Sequence, residues 1–157
     1  MKILDMSAGY RHIWYKKDLP FVTFLDRRPE VNPTFVCDTC RIPEEVGKDF
    51  DLVVFDPPHG TLTATSDMSR IYGTCDAADL TRTLAGSSRE AWRISKPNAL
   101  MAFKWNTCQR KLESVLPLLH GWEPLFCHGL NLPGRKKSQT YWVMLKRSNF
   151  PPPPGMD

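Results

Sequence analysis

The stretch that decides the fold runs from Asp51 to His59 and reads DLVVFDPPH. Its centre, Leu52–Phe55, is four consecutive apolar residues, the pattern of a parallel strand that is covered on both faces. Asp56-Pro57-Pro58 follows at once and ends the strand, because proline has no N–H to donate to a sheet. The sequence therefore predicts a buried central strand with a carboxylate and a rigid turn at its carboxyl end.

Shorter apolar runs, separated by turn residues, flank this central strand. The runs before it predict three strands and one helix: strands at Lys2–Asp5, Phe21–Leu25 and Thr34–Cys37, and a helix at Tyr10–Lys17. The residues after it predict, in chain order, a helix from Asp76 to Ile94, a strand at Ala99–Trp105, a helix at Leu112–Leu119, and strands at Pro124–Cys127 and Thr140–Lys146. This order predicts a single Rossmann-like α/β domain, whose mostly parallel seven-stranded sheet is closed by an antiparallel C-terminal hairpin.

The composition agrees with one globular domain. The chain has 157 residues, and its 21 Lys and Arg against 17 Asp and Glu give a formal net charge of +4, which permits an anionic partner without requiring one. No apolar run reaches the ~18 residues of a membrane span, so we expect a cytosolic protein that does not bind membranes, with reduced thiols at its five cysteines. We expect residues 1–148 to form the domain and the proline-rich residues 149–157 to be a disordered tail.

Four of the predicted strands end at or next to an aspartate: Asp5, Asp26, Asp38 and Asp56. The carboxyl ends of parallel strands meet at one edge of a sheet, and ligands of open α/β sheets bind there. The sequence therefore predicts a ligand site lined by carboxylates at this edge.

The same segments, in the same order, resemble the motifs of the class I S-adenosylmethionine-dependent methyltransferases. Asp5-Met6-Ser7-Ala8-Gly9 is similar to the glycine-containing first turn of that family, and Asp26 and Asp38 stand where its second and third strands end. Asp56-Pro57-Pro58-His59 is similar to the (Asp/Asn/Ser)-Pro-Pro-aromatic motif of the DPPY-type branch, which methylates exocyclic amino groups of nucleobases. The resemblance covers almost the whole chain.

The resemblance implies S-adenosylmethionine as the cofactor. Gly9 would allow the backbone to approach it closely, and Asp26 would accept hydrogen bonds from both ribose hydroxyls. By the family pattern, Asp38 would accept from the adenine amino group and Asp5 would lie near the methionine moiety. The full set of cofactor-binding residues implied in this way is Asp5, Met6, Ser7, Ala8, Gly9, Asp26, Arg27, Asp38 and Asp56.

The resemblance also implies how methyl transfer would occur. Asp56 would accept one N–H of the target amine and the Pro57 carbonyl the other, which directs the nitrogen lone pair at the sulfonium methyl. His59 stands where the family usually has a larger aromatic residue, and would stack on a flipped-out base. The implied catalytic residues are Asp56, Pro57, Pro58 and His59, and the predicted substrate-binding residues are His59, Gly60, Lys104, Trp105, Arg135, Lys136 and Lys137.

The substrate class rests on the resemblance alone. Asp56 in the first motif position favours adenine N6 in DNA or RNA. The alternatives are methylation of a protein glutamine or of a small-molecule amine, and a catalytically silent subunit that binds cofactor or nucleic acid and activates a partner. Because no segment is long enough for a target-recognition domain, specificity would come from loops 60–75 and 129–137, a homodimer or a separate recognition subunit.

The spacing of Cys37 and Cys40, Cys-x-x-Cys, is also found in zinc sites. The chain has no second such pair and no histidine pair at ligand spacing. We therefore expect core cysteines and no metal.

Overall fold

The structure, a computed structural model, describes residues 1–65, 75–130 and 138–153, and its main element is one seven-stranded sheet. The strands are β1 (Ile3–Asp5), β2 (Val22–Asp26), β3 (Phe35–Val36), β4 (Phe50–Phe55), β5 (Ser95–Asn106), β6 (Trp122–Leu130) and β7 (Thr140–Arg147). Their order is β3-β2-β1-β4-β5-β7-β6; β1 to β5 are parallel, and β7 is antiparallel to both β5 and β6. The predicted fold class is confirmed.

The long helix that was predicted after the central strand is α1 (Ala77–Ile94). Asp76 begins it with a capping box, in which the side chains of Asp76 and Asp79 each accept a hydrogen bond from the other residue's backbone N–H. One side of α1 is buried against the sheet through Leu80, Leu84, Ala91 and Ile94, each at most 2% exposed.

The segment 10–17 is not the helix that its sequence predicts, but a series of turns. Gly9 and Arg11 have φ values of 49° and 58°, which an α-helix excludes. Contacts across the fold hold the segment instead: Trp14 Nε1 donates to Asp5 Oδ2 at 2.6 Å, and the Arg11 guanidinium donates to the Asn32 carbonyl at 2.8 Å. Since a helix of eight residues is marginal by itself, these tertiary bonds decide the local structure.

The helix that was predicted at 112–119 is shorter than expected. It consists of α2 (Leu112–Val115) and a 3₁₀ turn (Leu116–Leu118) that contains Pro117, which has no N–H to continue an α-helix. Two further 3₁₀ turns lie at Pro29–Val31 and Glu44–Val46. None of the helices in the described part of the chain is long and apolar enough to span a bilayer.

The two faces of the sheet are covered differently. On one face, α1 and α2 bury the larger core, which includes Phe103 and Trp105 of β5. On the opposite face, a smaller cluster around Val22, Phe24 and Val54 is covered by Trp14 and Leu19 of the segment after β1. Near the edge strand β6, this second face of the sheet is exposed.

Candidate active site

A cleft of about 820 Å³ lies at the carboxyl edge of the parallel strands, where the sequence predicts a ligand site. Its walls come from the residues that follow β1, β2, β3 and β4, from the first half of α1, and from Lys104 on β5. Three of the four strand-end aspartates line it: Asp26, Asp38 and Asp56. The sheet topology thus brings together residues that are far apart in the chain.

The turn after β1 forms the floor of this cleft. Met6, Ser7, Ala8 and Gly9 all line it. Gly9 has a φ of 49°, in the left-handed region that favours glycine, and its N–H donates to Asp26 Oδ2 at 2.9 Å. Ser7 Oγ accepts from the backbone N–H of Asp56 at 2.7 Å. The turn is therefore tied both to β2 and to the Asp-Pro-Pro motif.

Asp5 lies behind this turn and does not line the cleft. Its carboxylate is fully buried and accepts from the Ser7 N–H at 3.0 Å and from Trp14 Nε1 at 2.6 Å. Burial raises the pKa of Asp5 to about 6, although these two hydrogen bonds oppose the shift. In this structure Asp5 orients the turn and the Trp14 segment.

Asp26, at the end of β2, is surrounded by donors. Oδ1 accepts from the backbone N–H and Nε of Arg28, both at 3.0 Å, and Oδ2 accepts from Arg28 Nη2 at 3.1 Å and from the Gly9 N–H. Burial alone would raise the pKa of Asp26, but the hydrogen bonds from Arg28 and Gly9 hold it below its ordinary value. A carboxylate has about four lone-pair positions, so Arg28 and Gly9 already fill the acceptor capacity of Asp26.

The wall after β3 carries Asp38 between two cysteines. Asp38 Oδ1 accepts from the Cys40 N–H at 2.8 Å, and its side chain is exposed at the cleft beside Cys37 and Cys40. Cys40 packs against Gly86 of α1, where an added Cβ would lie 2.8 Å from its sulfur. The close approach of α1 to the turn after β3 at Gly86 thus fixes the position of this wall relative to α1.

The Asp-Pro-Pro motif stands at the end of β4 with its carboxylate held between two side chains. Lys104 Nζ on β5 lies 2.6 Å from Asp56 Oδ2, and His59 Nε2 lies 3.3 Å from Oδ1. Burial alone would raise the pKa of Asp56, but the hydrogen bonds and charges of His59 and Lys104 hold it below its ordinary value. Asp56 is therefore ionised at neutral pH.

His59 has two differently placed ring nitrogens. With Nε2 directed at Asp56, Nδ1 is buried and has no hydrogen-bond partner among the described residues. A buried N–H without an acceptor is costly, so this geometry fits the tautomer that carries its proton on Nε2 and donates it to Asp56. The ring contacts Trp105 edge-on, with centroids 5.4 Å apart.

Solved structures with the same fold are numerous. The chain is 12% identical to the N-methyltransferase NodS from Bradyrhizobium japonicum WM9 over 94% of this chain and 85% of that one, with a TM-score of 0.61, and NodS has also been solved with S-adenosyl-L-homocysteine. An rRNA methylase from Streptococcus thermophilus is 8% identical over 93% and 87% of the two chains, with a TM-score of 0.57. The fold is that of the S-adenosylmethionine-dependent methyltransferases.

A third solved structure with this fold is that of a cyclase. The match to the [4+2]-cyclase SpnF covers 94% of this chain and 75% of that one, with 10% identity and a TM-score of 0.63. No protein-family model and no curated protein matches the chain. At such identities the likeness shows the methyltransferase fold, and a fold does not by itself specify a reaction.

The methyltransferase fold places the predicted substrate residues unequally. His59 and Lys104 line the cleft, whereas Trp105 has no exposed surface and belongs to the core, so the prediction that it contacts the substrate is wrong. Gly60 is buried against the side chain of Gln109. Arg135, Lys136 and Lys137, and most of the two loops from which specificity was expected, lie outside the described residues.

Three contacts around this site were not predicted from the sequence. Arg28 binds Asp26, Trp14 binds Asp5, and Trp142 lies beside Lys104. Only Arg28 has a local signal, since it follows a strand-end aspartate by two residues. The other two contacts depend on which strands are neighbours.

Proposed function

We propose that this protein is an enzyme that transfers a methyl group from S-adenosylmethionine to an exocyclic amino group of a nucleobase in DNA or RNA, with adenine N6 as the favoured target. The observation that carries the proposal is the position of Asp56-Pro57-Pro58-His59. The motif lies in the wall of the cleft and is bonded through its first residue to the turn after β1. The motif that would accept hydrogen bonds from the target amine is therefore joined directly to the turn that would contact the cofactor.

The cleft has donors and acceptors suited to the cofactor. Its floor is a turn of small residues through which the backbone can approach a ligand, and Asp26 and Asp38 stand in the neighbouring walls as acceptors for ribose and adenine. When bound, S-adenosylmethionine supplies an electrophilic methyl group on a sulfonium. Because Arg28 and Gly9 fill the acceptor positions of Asp26, ribose binding requires the Arg28 guanidinium to turn aside.

The charges around Asp56 favour a neutral amine. The carboxylate is paired with the ammonium of Lys104 on one oxygen and with His59 on the other. An alkylammonium substrate would be repelled by Lys104, because the Asp56 carboxylate that could balance its charge is already paired. The planar NH₂ of a nucleobase is uncharged and meets no such repulsion. One of the proteins with the same fold is an rRNA methylase, which is compatible with such a substrate.

The chain's own groups perform the positioning. Asp56 still has lone pairs for one N–H of the amine, and the Pro57 carbonyl accepts the other, so the nitrogen lone pair is directed into the cleft. Holding the reacting atoms in line can supply about 7–11 kcal/mol of the barrier reduction. The surplus proton on the methylated nitrogen is released next to the ionised Asp56.

The amide of a glutamine side chain is also a neutral, planar NH₂ and fits the same two acceptors. It is therefore the second candidate substrate. The silent-subunit alternative predicts that the chain binds ligands without transferring a methyl group.

The test is incubation with methyl-labelled S-adenosylmethionine and separate pools of DNA, RNA, protein and small metabolites. We expect label in a nucleic acid, with none for Asp56→Ala and undiminished transfer for Asp51→Asn. Asp51 is the matched control, because it lies on the same strand and pairs with Lys96 at 2.7 Å, away from the cleft. Label in protein alone contradicts the nucleobase assignment. The absence of label from every pool with the wild-type protein contradicts the proposal that the chain is a methyltransferase.

A further inference from the structure

The face of the sheet opposite α1 carries a row of side chains that leads away from Asp56. Lys104 on β5 is directly opposite Trp142 on β7, and Trp142 is directly opposite His128 on the edge strand β6. Directly opposite residues in neighbouring strands point to the same face. Lys104 Nζ is 2.6 Å from Asp56 and 6.0 Å from the centroid of the Trp142 ring. Asp56, Lys104, Trp142 and His128 therefore form one continuous row.

A second row runs parallel to the first. Ala102 on β5 is opposite Met144 on β7, which is opposite Phe126 on β6. The Phe126 side chain is 65% exposed, and Met144 and Ala102 are only partly buried. In the described part of the chain no helix covers these rows; Trp14 and Leu19 cover the other half of the same face.

We propose that this surface, formed by Lys104, Phe126, His128, Trp142 and Met144, binds a single-stranded segment of the nucleic-acid substrate whose target base enters the cleft. The inference rests on the proposed function and names the form in which the substrate is bound. Neighbouring strands are about 4.8 Å apart, so the Trp142 backbone is about 10 Å from that of Asp56. Nucleotides next to the target base can therefore reach Trp142 and Phe126.

The chemistry of the surface favours this occupant over a protein. Aromatic side chains on an open sheet face stack on unpaired bases. Lysine is depleted in the interior of protein interfaces, whereas Lys104 and Lys146 both lie on this face, the latter opposite Glu123. A duplex does not offer base faces, so binding requires a single strand or a locally opened one.

The experiment measures binding of fluorescein-labelled, single-stranded 12-mers of DNA and RNA by anisotropy, with Phe126→Ala, Trp142→Leu and Phe150→Ala. Trp142→Leu keeps an apolar side chain where Trp142 packs on the smaller core, so that the fold is preserved. Phe150, 78% exposed and outside this face, is the matched control. We expect the first two changes to weaken binding about 5- to 150-fold, the range for loss of one stacked base, and the control to bind as wild type.

Two further measurements separate this inference from the proposed function. S-adenosylmethionine affinity should be unchanged in both variants, because neither residue lines the cleft. The inference is overturned if the variants bind the 12-mers as tightly as wild type, if wild type prefers a duplex, or if sedimentation shows a dimer that Phe126→Ala dissociates. Failure of the proposed function is a different result, namely no labelled methyl group in any nucleic acid with wild type.

Discussion

The ammonium of Lys104 lies 2.6 Å from Oδ2 of Asp56, across the adjacent strands β5 and β4. The pair stands in the cleft wall, where the Lys104 side chain is 25% and that of Asp56 19% exposed. Because the lysine stabilises the charged form of a partly buried carboxylate, Asp56 remains an acceptor over the whole neutral range. Lys104 is thus a positioning residue for the candidate catalytic aspartate.

Replacing Lys104 by methionine should lower kcat about 10- to 100-fold, the cost of a charge-assisted hydrogen bond. Without the ammonium, burial raises the pKa of Asp56, so the acid limb of the pH–rate profile should move to higher pH. Lys104→Arg should restore most of the activity at neutral pH. Lys96→Met, which removes the exposed pair with Asp51, is the control and should leave the profile unchanged. An unchanged profile in Lys104→Met would show that the lysine does not act through Asp56.

Replacing His59 by phenylalanine separates stacking from hydrogen bonding. Phenylalanine keeps a ring against Trp105 and in the cleft, but loses the donor to Asp56 Oδ1. We expect the main role of this position to be stacking on the base, which is worth about 1–3 kcal/mol. The kcat of His59→Phe should therefore lie within about 10-fold of the wild-type value. Steady-state kinetics with a methylatable oligonucleotide measure it. An inactive His59→Phe with intact cofactor binding would contradict the stacking role.

Replacing Arg28 by leucine should tighten cofactor binding. The guanidinium and the backbone N–H of Arg28 together fill three of the four acceptor interactions of Asp26, and the guanidinium competes there with ribose hydroxyls. Its removal leaves a buried carboxylate in need of donors, so titration calorimetry should show a lower Kd for S-adenosylmethionine. Arg28→Leu should not tighten the binding of a 2′,3′-dideoxy analogue of S-adenosylmethionine, because that analogue has no ribose hydroxyls to donate to Asp26. Weaker binding of both ligands would mean that Arg28 supports the site rather than competing for it.

Asp5 makes stability depend on pH between about 4 and 6. Its pKa in the fold is about 6, above the 3.8 of an unperturbed aspartate, so in this window the folded chain holds a proton that the unfolded chain releases. The contribution of Asp5 to the unfolding free energy therefore falls as pH rises through this window, by up to about 3 kcal/mol, and is constant above it.

Urea denaturation of wild type and Asp5→Asn at pH 4 and pH 7 measures this effect. The advantage of wild type over the variant should be larger at pH 4 than at pH 7. Asp18→Asn, at a fully exposed carboxylate, should show no such difference between the two pH values. Equal differences for Asp5→Asn at both pH values would show that Asp5 does not hold a proton in the fold.

The sequence by itself determined the elements whose causes are local. The apolar run before Asp56 and the Pro-Pro turn after it predict β4, and the spacing of the apolar residues from Asp76 to Ile94 predicts α1. The aspartates at strand ends predict the edge where the cleft lies, because every parallel strand of one sheet ends at the same side.

Only the tertiary structure decided which side chains meet. That Trp105 is fully buried and Trp142 only partly buried depends on which face of the sheet α1 covers, since alternate residues of a strand point to opposite faces. Lys104 reaches Asp56 because β4 and β5 are neighbours in the sheet, which no local pattern encodes. The turns at 10–17 likewise exist because Asp5 and Asn32 offer acceptors from elsewhere in the chain, and such bonds form only when the whole sheet is assembled.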